Sequence, residues 1–237
     1  MSVDSSKLHD VTVIIPTRNE IGCIDATLEV LDALAPAAVI VVDDSDDGTD
    51  LRVLERRQGR VTLLHRAPEA RYAGLGGAVH AALPLVRTPW VVVADGDGQH
   101  PLNRIVDLVG QRNDFDLVVA SRYLHEGGAD GLTFFRHLAS RIGLRISSWQ
   151  HPERLTGLTD PLSGFFLLRL SALDARRVHP DGFKILLEIL LSAQEPLRVR
   201  EVAIPIGTRI AGRSKAGPRE VLRLLRVVVR HRWSARS

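Results

Sequence analysis

Short apolar runs alternate with polar loops and amphipathic stretches through the first half of the chain. The runs are Val11–Ile15, Ala38–Val42, Val61–Leu64, Trp90–Ala94 and Leu117–Ala120. Valine and isoleucine dominate them without polar alternation, the pattern of strands covered on both faces. Between the first two, Ile24, Leu28, Leu31 and Leu34 recur at spacings of four, three and three, one face of a helix that Pro36 stops. Pro101 follows the fourth run, at a position suited to a helix N-terminus. Strands alternating with helices predict an α/β fold: a mostly parallel sheet flanked by helices, with ligands bound beyond the carboxyl ends of the strands. After Ser121 the rhythm lengthens. Leu132–Trp149 reads as a helix with Phe135, Leu138, Ile142 and Trp149 on one face. Phe165–Arg169, Phe183–Ala193 and Val199–Ile204 then read as strand, helix and strand, and the loop Gly207–Gly217 opens a terminal helix. No repeat or linker divides the chain, so one domain is expected.

Composition narrows the class. Over 237 residues, 45% hydrophobic and 25% charged is a globular balance. The lone cysteine, Cys23, forms no internal disulfide, and with nine scattered histidines it offers no structural zinc site. No window approaches 18 uncharged apolar residues, and Met1–Asp10 lacks the apolar core of a signal peptide, so a cytoplasmic chain is expected. The net charge of +3 averages two unlike halves. Five aspartates fall within Asp43–Asp50, whereas from Arg198 onward eleven Lys/Arg face only Glu201 and Glu220. An acidic front and a basic tail point to a metal or sugar site followed by a surface for something anionic.

The polar clusters sit where the strands end. Asp95-Gly96-Asp97-Gly98-Gln99-His100-Pro101 follows a strand directly. Two carboxylates one residue apart, on a turn made permissive by glycine, can face one hard cation, and Gln99 can add a third oxygen. Magnesium or manganese suits that set. Asp43 and Asp44 end another buried strand, where a carboxylate needs a partner. They could accept hydrogen bonds from a nucleotide, while Asp47 or Thr49 could simply cap the next helix. Pro16-Thr17-Arg18-Asn19-Glu20 ends the first strand. Gly74-Leu75-Gly76-Gly77 opens a helix, but it completes neither a dinucleotide fingerprint nor a P-loop. Arg136 and Ser140 share a helix face, and with Arg122 they could hold a phosphate or merely meet solvent. Arg209 to Lys215 is a basic loop able to fold over a pyrophosphate. Arg219, Arg223, Arg226 and Arg230 form a basic stripe that fits an anionic membrane surface or an ordinary solvated helix face.

Taken in order, these segments resemble the family 2 inverting glycosyltransferases of GT-A fold, in the dolichyl- or polyprenyl-phosphate mannosyltransferase branch. The resemblance runs through Val13–Glu20, Val42–Thr49, Gly74–Gly76, Asp95–Pro101 and Ser121–Tyr123. It continues through Asp160–Phe166, Gly182–Glu188 and Arg209–Lys215. It implies a flexible segment 1–10, a glycosyltransferase domain 11–215 and a basic amphipathic helix 216–237. Pro16, Thr17, Asn19, Glu20 and Asp44, with Asp95, would bind the nucleotide sugar. Asp95, Asp97 and Gln99 would hold magnesium or manganese on its pyrophosphate. Arg122, Arg136 and Ser140 would cradle the acceptor's phosphate. Arg209 and Lys215 would close over the donor and join Asp95 and Asp97 in catalysis.

The implied reaction moves a hexose, mannose from GDP-mannose, to a polyprenyl or dolichyl phosphate. That phosphate is already anionic near neutral pH, so it needs no strong general base. The place implied is the cytoplasmic face of a membrane, with a membrane surface or membrane protein as partner. Three other readings compete. The first is a family 2 transferase with a UDP-glucose type of donor or a non-lipid acceptor; a hydroxylated acceptor of that kind would call on Asp160 as base. A nucleotidyltransferase would release pyrophosphate instead. The third is a non-enzymatic sugar-nucleotide-binding or adaptor domain. Nucleic acid is not an expected partner: the basic tail lacks interleaved aromatics, and the acidic loops would repel a phosphate backbone.

Overall fold

The computed structural model describes residues 8–56, 59–124, 152–180 and 184–204. In chain order the elements are β1 (Val11–Thr17), α1 (Ile24–Leu34), β2 (Ala38–Asp43), α2 (Thr49–Arg56), β3 (Val61–His65), α3 (Gly74–Ala82) and β4 (Trp90–Val93). They continue with α4 (Ile105–Gly110), β5 (Leu117–Ser121), α5 (Pro152–Leu155), β6 (Phe166–Arg169), α6 (Ile185–Ser192) and β7 (Val199–Ala203). The strands form one seven-stranded sheet in the order β3-β2-β1-β4-β6-β5-β7. Parallel pairs join β1 to β2 and β4, β2 to β3, and β5 to β7, whereas β6 runs antiparallel between β4 and β5. The expected Leu132–Trp149 helix, the terminal helix and the N-terminal segment to residue 7 lie outside the described residues.

Each strand feeds two cores, because successive side chains point to opposite faces. Val13, Ile15, Val41 and Val92 pack beneath Ile24, Leu28, Leu31 and Leu34 of α1 and Ile105 and Leu108 of α4. Ile14, Ile40, Val42 and Val93 pack against Ala78, Val79 and Ala82 of α3 and the apolar run of α6. This two-sided burial is why the runs carry no polar alternation. Helix α1 ends at Ala35, which takes a left-handed conformation (φ 49°) and returns its N–H to Leu31 before Pro36 blocks continuation. Pro101 leads into a 3₁₀ turn, Leu102–Arg104, that feeds α4.

The topology sets the site. From β1 the chain steps to β2 and β3, then returns to β4 on the other side of β1, which makes the β1/β4 boundary a topological switch point. Pairing of β1 with β4 ends at Ile14–Val93, while pairing with β2 continues to Thr17–Asp43. Pro16 lies in that extension, beyond the register with β4, where a missing N–H costs no ladder bond on that side. Past Val93 the pairing with β1 ends on one more bond, from the Ala94 N–H to the Ile14 carbonyl (3.2 Å). No helix among the described residues is long and apolar enough to cross a membrane.

Candidate active site

Two loops at the carboxyl end of the sheet are stitched together by side-chain-to-backbone bonds. Asn19, at φ 60°, donates its N–H to Ser45 Oγ (2.7 Å) and accepts from the Asp46 N–H through Oδ1 (3.0 Å). The Glu20 N–H donates to Thr49 Oγ1 (3.2 Å) and the Ile21 N–H to Asp47 Oδ2 (3.3 Å). Asp47 also accepts from the Thr49 N–H (3.0 Å), so it caps α2. Asparagine tolerates the left-handed backbone that the first loop requires. Asn19 and Thr49 therefore act as walls of the cleft, holding the β1–α1 loop to the β2–α2 loop.

The parallel register of β2 and β3 sets Asp43 beside His65 and brings Asp44 next to Arg66. Asp43 is fully buried. Its Oδ1 accepts from Thr17 Oγ1 (2.7 Å) and Ser45 Oγ (2.6 Å); its Oδ2 lies 3.2 Å from the Ser45 N and 2.9 Å from His65 Nδ1. Asp44 forms a bidentate pair with Arg66: Nε to Oδ1 is 2.7 Å and Nη2 to Oδ2 is 2.5 Å. Arg66 also donates to the Gly74 carbonyl (3.1 Å), tying the pair to the start of α3. Arg71 ties the β2–α2 loop to the end of β3, donating to Asp46 Oδ1, the Ser45 carbonyl and the Arg66 carbonyl. Each strand-end carboxylate thus finds its partners inside the protein, as burial demands.

Across the switch point, Asp95–His100 forms a closed turn. The Asp95 N–H donates to His100 Nδ1 (2.8 Å), and the Gln99 N–H donates to Asp97 Oδ1 (3.1 Å). The Asp97 residue is 3% exposed. Gly96 permits the turn to lie against β1: a Cβ there would sit 2.8 Å from Thr17 Cγ2. The neighbouring Cys23 thiol is pushed up by burial and by the charges of Glu20 and Asp97, which brings the acidic side chains of both loops into one field.

A second polar network lies beyond β5. Arg122 Nε and Nη2 donate to Asp160 Oδ2 and Oδ1 at 2.7 and 2.8 Å, and the Arg122 N–H adds a bond to Oδ2 (3.3 Å). Asp160 is 1% exposed. The loop carrying it hangs from Glu201 of β7, which accepts from the Thr159 and Asp160 N–H groups at 2.8 Å each. Burial pulls the Arg122 guanidinium down. The hydrogen bonds and charge of Asp160, with the charges of Tyr123 and Asp95, outweigh it and hold the group above the ordinary arginine value.

Of the residues expected to carry chemistry, Pro16, Thr17, Asn19, Glu20, Asp44, Asp95, Asp97 and Gln99 all lie on loops or strand ends at this face. Arg122 also follows a strand end and joins Asp160. Arg136, Ser140, Arg209 and Lys215 lie outside the described residues. Among the described residues, one group of three metal-capable side chains has its ligand atoms within 4.8 Å of one another: Asp43, Asp50 and His65. The Asp43 lone pairs there are already taken by Thr17, Ser45 and His65, so a cation would have to displace them. The Asp95–Asp97 turn offers two carboxylates at the switch point, which fits a cation that completes its shell with a substrate's phosphates. Sequence reasoning passed over Arg66, His65 and Glu201. The first two were findable: acids closing β2 and bases closing β3 meet in any parallel register that aligns the strand ends.

Comparison with known proteins fits this geometry. The family model described as glycosyl transferase family 2 matches residues 12–176. A dolichol-phosphate mannosyltransferase of Pyrococcus furiosus is 32% identical over 226 residues, covering 93% of this chain and 63% of its own length, so the chain spans less than two thirds of that relative. An undecaprenyl-phosphate mannosyltransferase of Micrococcus luteus is 33% identical over 220 residues, covering 86% of each. Among solved structures, glucosyl-3-phosphoglycerate synthase of Mycobacterium tuberculosis, in complex with Mn²⁺, UDP-glucose and phosphoglyceric acid, superposes with a TM-score of 0.70. At 22% identity, covering 98% of this chain and 81% of that one, it shares the fold. Switch-point topology, acidic turn and family match agree: the architecture is GT-A, and the chain belongs to glycosyl transferase family 2.

Proposed function

We propose that the chain transfers a hexose, mannose from GDP-mannose, to the phosphate of a polyprenyl or dolichyl lipid with inversion at the anomeric carbon. One observation carries the choice of acceptor: both oxygens of Asp160, the carboxylate a hydroxyl acceptor would need as base, are engaged by Arg122. A phosphate monoester is anionic near neutral pH and needs no base to become a nucleophile. The likeness to the two prenyl-phosphate mannosyltransferases supports the same acceptor class.

In this reading Pro16, Thr17, Asn19, Glu20 and Asp44 build the nucleoside pocket. Asp95, Asp97 and Gln99 hold Mg²⁺ or Mn²⁺. When bound, that cation neutralises charge on the departing nucleoside diphosphate. Arg209 and Lys215 close over the donor, while Arg122, Arg136 and Ser140 receive the acceptor phosphate. The basic segment 216–237 draws the chain to an anionic membrane surface or a membrane protein at the cytoplasmic face.

A donor panel of GDP-mannose, UDP-glucose and UDP-N-acetylglucosamine against polyprenyl phosphate, with and without Mn²⁺, tests it. GDP release with GDP-mannose is expected. Asp97→Asn is expected to lower turnover on the order of 10²-fold or more, the scale of losing one electrostatic stabiliser of the transition state. Undiminished metal-dependent transfer by Asp97→Asn would refute the metal site, and release of pyrophosphate would make the chain a nucleotidyltransferase.

A further inference from the structure

We infer that His100 is a positioning residue for Asp95, an inference that rests on the proposed metal site and names what holds its first carboxylate. The imidazole is buried (8% exposed) and lies flat on the Phe165 ring, with centroids 5.3 Å apart and planes 19° apart. Its Nδ1 accepts the Asp95 N–H at 2.8 Å, so the neutral ring carries its proton on Nε2. That Nε2 stands 3.9 Å from Asp95 Oδ2. One ring therefore grips the same residue at its backbone and faces its carboxylate.

Gly164 completes the seat. A Cβ at this position would lie 3.1 Å from Asp95 Oδ2 and 3.2 Å from His100 Cε1, so both groups rest against a bare Cα. Ser163 and Phe165, on either side, are buried and fixed: the Ser163 hydroxyl donates to the Ala120 carbonyl at 2.8 Å. The stack, the backbone bond and the glycine leave the carboxylate plane little freedom to turn. Outer partners of this kind set metal affinity by about 10–100-fold in other sites.

The test is Mn²⁺ affinity, titrated by electron paramagnetic resonance in the presence of GDP or UDP, whichever the wild type binds. The variants are His100→Phe, His100→Asn, Gly164→Ala and Asp97→Asn, each with its thermal midpoint. His100→Phe keeps the stack and loses both nitrogens; about 10–100-fold weaker Mn²⁺ binding is expected. His100→Asn keeps an acceptor near Nδ1 and is expected to fall between the two. Gly164→Ala, which leaves His100 itself intact, is expected to weaken Mn²⁺ binding as well and guards against a folding defect in the His100 variants. Binding within about twofold of wild type in His100→Phe, with Asp97→Asn impaired, would overturn the inference. Wild-type affinity in His100→Asn would overturn the part played by Nε2. Wild-type affinity in Asp97→Asn would instead overturn the metal site beneath it.

Discussion

At the scale of single residues, the cleft is built from charges that satisfy one another. The Asp44 and Arg66 side chains are 5% and 4% exposed, and neither tolerates loss of the other. Arg66→Ala strands a buried carboxylate and is expected to cost about 3–5 kcal/mol in chemical denaturation. Replacing both with apolar residues of similar volume (Asp44→Leu with Arg66→Met) should recover most of that loss, because an ion pair taken out of water returns little beyond its desolvation cost. A loss under about 1 kcal/mol for Arg66→Ala would contradict the buried pairing. The sequence made the need visible but not the partner. A carboxylate ending an apolar strand must be bonded, yet Asp44 and Arg66 stand 22 positions apart and only the parallel register joins them. The same holds for Asn19, whose fitness for a nucleotide loop was legible while its grip on the Asp46 N–H was not.

At the scale of elements, strand positions were legible because two-sided burial leaves unbroken valine and isoleucine runs. The direction of β6 was not: an antiparallel strand between two buried neighbours needs the same apolar residues as a parallel one. What fastens the strands β5, β6 and β7 at their far end also needed the structure. Asp116 accepts from the Arg198 N–H (3.2 Å), Nε (2.9 Å) and Nη2 (3.0 Å), with Arg169 Nε 3.6 Å away. The Arg198 side-chain bonds, against the opposing effect of burial and with the charge of Arg169 assisting, hold the Asp116 carboxyl below its ordinary value of 3.8. A depressed carboxylate contributes stability above its unfolded-state value and loses it as pH falls through the folded one. Asp116→Asn should therefore be less stable than wild type at neutral pH, with the difference shrinking as pH falls below 3.8. Urea midpoints across that range check it; a difference independent of pH would contradict the tie.

At the scale of the whole molecule, the chain's charge is divided by position. The acidic strand ends gather at the carboxyl end of the sheet, on either side of the β1/β4 switch point, while residues 205–237 carry nine of the eleven basic groups counted from Arg198. The fold explains why that end was findable: β1 to β5 run the same way, which puts the loops after them at one end of the sheet. It also explains why the acceptor was harder to read. Asp160 in sequence could be a base, a ligand or a clamp, and its engagement with Arg122 depends on a loop suspended from Glu201, 41 positions away. That engagement underlies the proposal of a lipid phosphate over a hydroxyl. The most direct test supplies GDP-mannose with a radiolabelled sugar, polyprenyl phosphate and Mn²⁺, then partitions the product between organic solvent and water. Label in the organic phase that depends on both the metal and the lipid phosphate is the expected result; label that stays in the aqueous phase under the same conditions would contradict it.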